Sequence, residues 1–251
     1  MKFILICFLL FVASCNQTKK EEPKNQPNKT IITEAETVKK EVIKPAKKEY
    51  LEFLVTLKNP KKISNAKALI VDRNLVWNDL IINKNTLKVA SIKIPIEDKE
   101  LLIEKLKSLK VFSNIEVKSE ENIAAIKEIA ENTFVTISKK RCSGDCPVYQ
   151  LTLLNDGKVI FNGIENVNSL GIQKFSISET KMNKIKSMFQ KTTFGTYIDS
   201  YVDKSLMDYP STFITHNDKQ IEIKLWKDVP LELALAFEAV EDILFDKKII
   251  N

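Results

Sequence analysis

The chain has 251 residues, 44% of them hydrophobic and 29% charged, and carries a formal net charge of +6. That is enough length for two ordinary domains. The excess charge sits in the leader and in residues 16–48, which hold nine Lys and five Glu; residues 133–251 hold fifteen basic and fifteen acidic groups. No folded segment therefore carries the basic footprint of a nucleic-acid binder, and nucleic acid is not expected as a partner.

The first element is a leader. Lys2 precedes an apolar run, Phe3 to Val12, of signal-peptide length and too short to span a bilayer. It ends in "VASC", and this resembles the lipobox of bacterial lipoproteins. The resemblance implies removal of residues 1–14, acylation of Cys15, and a membrane partner reached through the lipid. "KKEE" at 19–22 resembles charged export tags of surface lipoproteins of Bacteroidota. The expected location is the bacterial outer membrane, lipid-anchored, facing the periplasm or the surface. Residues 15–48 comprise the acylated cysteine and a polar tether that cannot bury enough surface to fold. As a coil it reaches on the order of 30 Å.

Order is expected from about Tyr50. "EYLEFLVTLKNP" reads as a strand and "KKISNAKALIVDR" as a helix with Ile63, Ala66, Leu69 and Ile70 at helical spacing. After an "NLVW" loop, "DLIIN" and "LKVASIKIP" form two strands. "EDKELLIEKLKSLK" is an amphipathic helix with Leu101, Leu102, Leu106 and Leu109 on one face, and "VFSNIEVK" closes as a strand. This β-α-β-β-α-β order predicts a ferredoxin-like domain over 49–131. The order is similar to that of protease pro-domains, so protease inhibition is one alternative function. "ENIAAIKEIAEN" is a linking helix.

A second α+β domain is expected over 132–251. "TFVTISKK" is a strand, followed by the loop "RCSGDCP". "VYQLTLLNDGKVIFNGI" is a hairpin in which Tyr149, Leu151 and Leu153 alternate with Val148, Gln150 and Thr152; Asn155, Asp156 and Gly157 supply positive-φ turn residues. A strand near "IQKFSIS" leads to Ser178 as a helix N-cap. The next helix turns Met182, Ile185, Met188 and Phe189 inward. A hairpin around Asn217-Asp218 and a final helix with Leu233, Phe237, Val240 and Leu244 in its stripe complete the unit. The fold class is α+β: two small two-layer domains, antiparallel sheets with helices on one face.

"RCSGDCPVYQLTLLNDGKVIFNG" with the later "MDYPSTFIT" resembles an uncharacterised bacterial domain family with a Cys-x-Gly-x-Cys-Pro-x-Tyr signature. Cys142, Gly144, Cys146, Pro147, Tyr149, Asp156, Gly157, Gly163, Asp208, Pro210 and Thr212 match it. The resemblance covers roughly 133–246 and implies a secreted protein or lipoprotein of no established reaction.

Chemistry is sparse. Cys142 and Cys146 are the thiols left after export, in a compartment where disulfides persist. They are followed by a strand, so no helix dipole activates them. A structural disulfide is the first expectation. Thiol redox and Cu(I) binding, with help from Met182, Met188 or Met207, are the alternatives. His216 is the sole histidine, read as a solvated residue of the hairpin. With Ser200, Ser211, Asp199 and Asp203 it makes no triad, and no Gly-x-Ser-x-Gly elbow or phosphate loop is present. No catalytic residue, metal site or cofactor is expected. The loop 194–213 is rich in aromatics and acids. With Asp145 it gives a candidate contact loop of Asp145, Tyr197, Tyr201, Asp208 and Tyr209, suited to an envelope protein partner; packing of the rings over the sheet edge is the alternative.

Overall fold

The computed structural model describes residues 48–250 except 204, 206 and 207. The leader, Cys15 and the tether up to residue 47 lie outside the described residues, as does Met207. No helix among the described residues is long and apolar enough to cross a membrane.

The first sheet forms from β1 (Tyr50–Leu57), β2 (Val76–Asn83), β3 (Lys88–Pro95) and β4 (Phe112–Val117), in the order β2-β3-β1-β4. All three neighbouring pairs are antiparallel. With α1 (Ile63–Val71) after β1 and α2 (Lys99–Ser108) after β3, this is the ferredoxin-like topology. β2 begins at Val76, inside the segment read as a loop. Its pairing with β3 shifts register twice, and this hides its alternation from a simple pattern.

The period of two along β1 sends Phe53, Val55 and Leu57 to one face, where they meet Ala90, Ile92 and Ile94 of β3, and Ala66, Ile70 and Leu106 of the helices. On α2 the inward stripe is Leu102, Ile103, Leu106 and Leu109. Leu102, Leu106 and Leu109 pack as expected, whereas Leu101 is 53% exposed and Ile103 takes its place. The other face of the sheet carries Leu54, Ile82 and Val89. These pack against Ala130, Ile123 and Ile126 of α3 (Glu120–Asn132). The linking helix is thus a packing element that covers the second face of the first sheet. Ser119 caps it by accepting from Asn122 N at 3.1 Å.

α3 runs directly into β5 (Thr133–Lys139) of the second sheet. There β6 (Val148–Leu154), β7 (Lys158–Glu165), β8 (Gly171–Ser176), β9 (Ser200–Tyr201), β10 (Thr212–His216) and β11 (Lys219–Ile223) give the order β8-β7-β6-β5-β10-β11-β9. Only the two-residue β9–β11 contact is parallel. α4 (Glu179–Lys191) and α5 (Leu231–Asp246) lie on one face. They bury Ile185, Phe189, Leu233, Phe237, Val240 and Leu244 against Val135, Ile137, Leu151, Leu153, Phe161 and Ile214. Ser178 caps α4 through Lys181 N.

The two hairpin turns differ. Asn217 (φ 48°) and Asp218 (φ 56°) form the paired left-handed turn that matches strand twist. In the β6–β7 turn only Gly157 has positive φ, 82°. Gly157 N closes on Leu154 O at 3.0 Å, so Asn155 and Asp156 sit in an ordinary turn and the glycine follows as a bulge. The expected run of three positive-φ residues is corrected to one.

The Asp218 carboxylate reaches the tip of the β2–β3 hairpin. It accepts from Asn85 N (2.8 Å), Thr86 N (2.9 Å) and Thr86 Oγ1 (2.7 Å). Burial opposes its ionisation, but these hydrogen bonds prevail and hold its carboxyl below the ordinary value.

Candidate functional site

The strand register of the second sheet places its cysteine loop. Lys139 faces Tyr149 across β5 and β6, and the chain between them must turn back within nine residues. Cys142 and Cys146 are joined as a disulfide, with their Cα atoms 5.8 Å apart. The loop is held on both flanks. Ser143 Oγ donates to Asp208 Oδ1 (2.8 Å), and Lys140 N donates to Ser211 O (2.9 Å). Asn166 Nδ2, from the β7–β8 turn, donates to Cys146 O (3.2 Å). Arg141 Nε pairs with the Glu165 carboxylate. Gly144 and Asp145 stay exposed at the tip.

The candidate contact residues separate. Asp208 and Tyr209 join Asp145 at the cysteine loop, and Tyr209 is 53% exposed. Tyr197 and Tyr201 pack against the core, and the Tyr197 hydroxyl accepts from Thr193 N at 3.3 Å. Phe194 is buried and Phe213 lies under the Lys140 ammonium. The rings of this segment are therefore mostly packing residues, and Tyr209 is the one that faces solvent. Met182 and Met188 belong to the α4 packing surface, and Met182 lies beside Gly157, on the turn side of the hairpin, away from the loop. Among the described residues no cluster of His, Cys, Asp and Glu could hold a metal ion.

Free thiols and a structural disulfide separate by simple chemistry. Alkylation of the folded protein should label neither Cys142 nor Cys146 without reductant and both with it, read as a mass shift. Replacing both by alanine should cost about 2 kcal/mol, the chain-entropy value for so small a loop. Two reactive cysteines in the unreduced protein would sink the disulfide.

Behind the loop lies an arrangement that sequence reading missed. Glu241 of α5 accepts from Lys139 Nζ (2.6 Å) and from the Tyr149 hydroxyl (2.6 Å). The Lys139 ammonium also lies over the rings of Tyr149 (5.9 Å) and Phe237 (5.6 Å). Tyr149 is 1% exposed. Burial first, then the charge of Glu241 and its hydrogen bond, push the Tyr149 phenol far above its ordinary value. It stays protonated and serves as a donor, so the trio anchors the base of the loop. Lys139 on the inward parity of β5 was the available signal; its partner is 102 residues away.

At the opposite end of the sheet is a surface cleft of about 640 Å³. His216 stands in it, between Phe134, Phe189 and Phe194, at centroid distances of 4.9, 4.9 and 5.4 Å. His216 was expected to be solvated. It is the last residue of β10 and shares the inward parity of Ile214, so it packs among rings instead. Its Nδ1–H donates to Phe134 O at 2.7 Å. Burial lowers its pKa, with the carbonyl partly opposing.

The sign follows. Above the ordinary imidazole value of 6.5 the residue is neutral both folded and unfolded. As pH falls through 6.5 the unfolded chain takes up a proton that the folded form resists. Stability then falls by up to about 1.4 kcal/mol per pH unit. The carboxylates with lowered values, Glu52, Asp156, Asp203 and Asp218, add their own losses only below their ordinary values of 4.5 and 3.8. The chain has a single histidine. Denaturant unfolding between pH 7 and about 5.5 should therefore lose its slope in His216→Gln. A slope that persists in the variant would remove His216 as its source.

Residues 133–244 match a domain of unknown function, DUF6438. The match runs from the start of β5 to near the end of α5. It contains the cysteine loop, the Lys139–Tyr149–Glu241 trio and the cleft. No curated protein matches the chain.

Proposed function

We propose that this chain is a non-catalytic lipoprotein of a bacterial cell envelope that binds another envelope protein through the cysteine-loop end of its second sheet. The observation that carries this reading is the fastening of the loop. A disulfide, the Asp208 and Ser211 contacts, and Asn166 fix a backbone whose tip remains open to solvent. Fixing a contact surface before binding lowers the entropy cost of association. Asp145 and Tyr209 offer a charge and an amphipathic ring, the usual material of such surfaces. The signature Cys-x-Gly-x-Cys-Pro-x-Tyr supplies the parts of this device: two cysteines for the closure, Gly144 at the tip, and Tyr149 at its anchored base.

Anchoring rests on the leader, where Cys15 follows an apolar run and small residues. Metabolic acyl labelling should mark the wild type and not Cys15→Ser, which should leave the membrane fraction. Retained label in the variant would overturn lipidation. For the binding face, a photo-crosslinking residue at Asp145 or Tyr209 should trap a discrete adduct in intact cells, whereas one at exposed Lys174 on β8 should not. Equal yields at all three positions, or none at any, would count against the cysteine-loop end.

A further inference from the structure

The cleft at the other end of the second sheet takes no part in that reading, and its chemistry is specific. We infer that it is a binding site for a neutral saccharide. The wall is aromatic: the half-buried Phe134 offers ring surface, while Phe189 and Phe194 are 3% and 5% exposed and serve as backing. The rim is polar and comes from two elements, the last turn of α4 with the residues after it, and the β10–β11 turn. His216 spends Nδ1 on the Phe134 carbonyl, so the neutral ring leaves Nε2 as an acceptor with no protein partner. The side chains of Gln190, Thr193 and Asn217 make no hydrogen bond within the protein and line the same cleft. The amides each provide donors and an acceptor, and the hydroxyl does both.

Charge narrows the ligand. None of the described residues lining the cleft is a carboxylate, which removes the counter-charge a cation would need. The one charged side chain there, Lys186, donates one of its three N–H groups to Asn155 O at 3.0 Å, which leaves two for ligand hydroxyls. The C-terminal end of α4, the negative end of its dipole, borders the cleft and disfavours an anion. A greasy ligand would find one accessible ring and a polar rim. What remains is an uncharged molecule with many hydroxyls and a C–H face to lie on Phe134. The volume is within the range of small-ligand sites.

The test uses the full exported chain in detergent, with N-acetylglucosamine, its β-1,4 disaccharide, maltose and galactose as neutral probes and glucuronate as the charged one. Saturation-transfer NMR followed by calorimetry should detect at least one neutral sugar with a Kd of about 1 mM or tighter. Gln190→Ala/Thr193→Ala and Asn217→Gly should each weaken it by roughly tenfold, the value of a lost polar contact. These three residues are exposed, and glycine keeps the turn conformation, so unchanged melting temperatures separate a binding loss from misfolding. No transfer to any neutral sugar, binding of glucuronate alone, or affinity unmoved by both variants would overturn the site. Failure of the crosslinking test at the cysteine loop would leave this test intact, since the two lie at opposite ends of the sheet.

Discussion

Glu241→Ala should destabilise the protein by about 3 kcal/mol, because it leaves the Lys139 ammonium inside the fold without its counter-charge. The side chains of Lys139 and Glu241 are 20% and 12% exposed, so some water reaches them and the effect sits at the low end for a broken buried pair. The same substitution strips the acceptor from the Tyr149 hydroxyl, on a residue only 1% exposed. Denaturant unfolding would show it directly, and melting would fall by about 6–12 °C for a chain of this size. Glu241→Gln keeps an acceptor for the phenol and should cost about half as much. The pair Lys139→Met/Glu241→Leu removes both charges and should recover most of the loss. A cost below about 1 kcal/mol for Glu241→Ala would mean the trio is a surface pair of little consequence.

Gly163→Ala should be the most damaging of the glycine substitutions, costing about 3 kcal/mol. A methyl group there would lie 2.0 Å from the Ser169 carbonyl oxygen, 2.8 Å from Val167 Cγ2 and 3.0 Å from Phe161 Cε1. Two of these neighbours belong to the β7–β8 connection, which folds back over its own strand. That connection is itself pinned to the C-terminal segment, since Asn168 N donates to Ile249 O at 2.8 Å. Relief therefore requires backbone movement. Gly195→Ala meets nothing within 4 Å and should stay within about 0.5 kcal/mol of the wild type. Melting temperatures of the two variants, measured side by side, give the contrast. A Gly163→Ala protein as stable as Gly195→Ala would mean the connection does not lie where the structure has it.

How much of this was legible follows from how local each cause is. α4 was legible because its cap, its period and its buried stripe all sit within fourteen residues. The β10–β11 turn was legible because an Asn-Asp pair between alternating strands has few other uses. The stripe of α2 was misjudged at Leu101 because Leu101, Leu102 and Ile103 are consecutive, and three adjacent aliphatics leave the inward direction undetermined until the sheet chooses it. His216 was misread because a residue beside a turn was assumed to belong to the turn, whereas strand parity decided its side. The aromatics of 194–213 left contact surface and packing both open, because each ring answers to a different neighbour: Phe194, Tyr197 and Tyr201 pack on the core and Tyr209 faces solvent. Asp218 with Thr86, and Lys139 with Glu241, are separated by more than one hundred residues, and nothing in either local segment announces its partner.

The place of β1 in its sheet has a mechanical meaning. The chain enters the described fold at Lys48 and passes at once into β1, which is bonded to β3 on one side and to β4 on the other. Tension on the leading segment therefore acts on a central strand. The start of β1 pairs with the end of β4, Phe53 facing Val117, so a load between the leading segment and the chain that follows β4 enters both strands at the same end and opens their bonds one after another. β1 also carries Phe53, Leu54 and Val55 into the packing on both of its faces. Peeling β1 away would strip the packing of both faces at once, so the lifetime of this sheet under force would be set by how slowly β1 separates from β4.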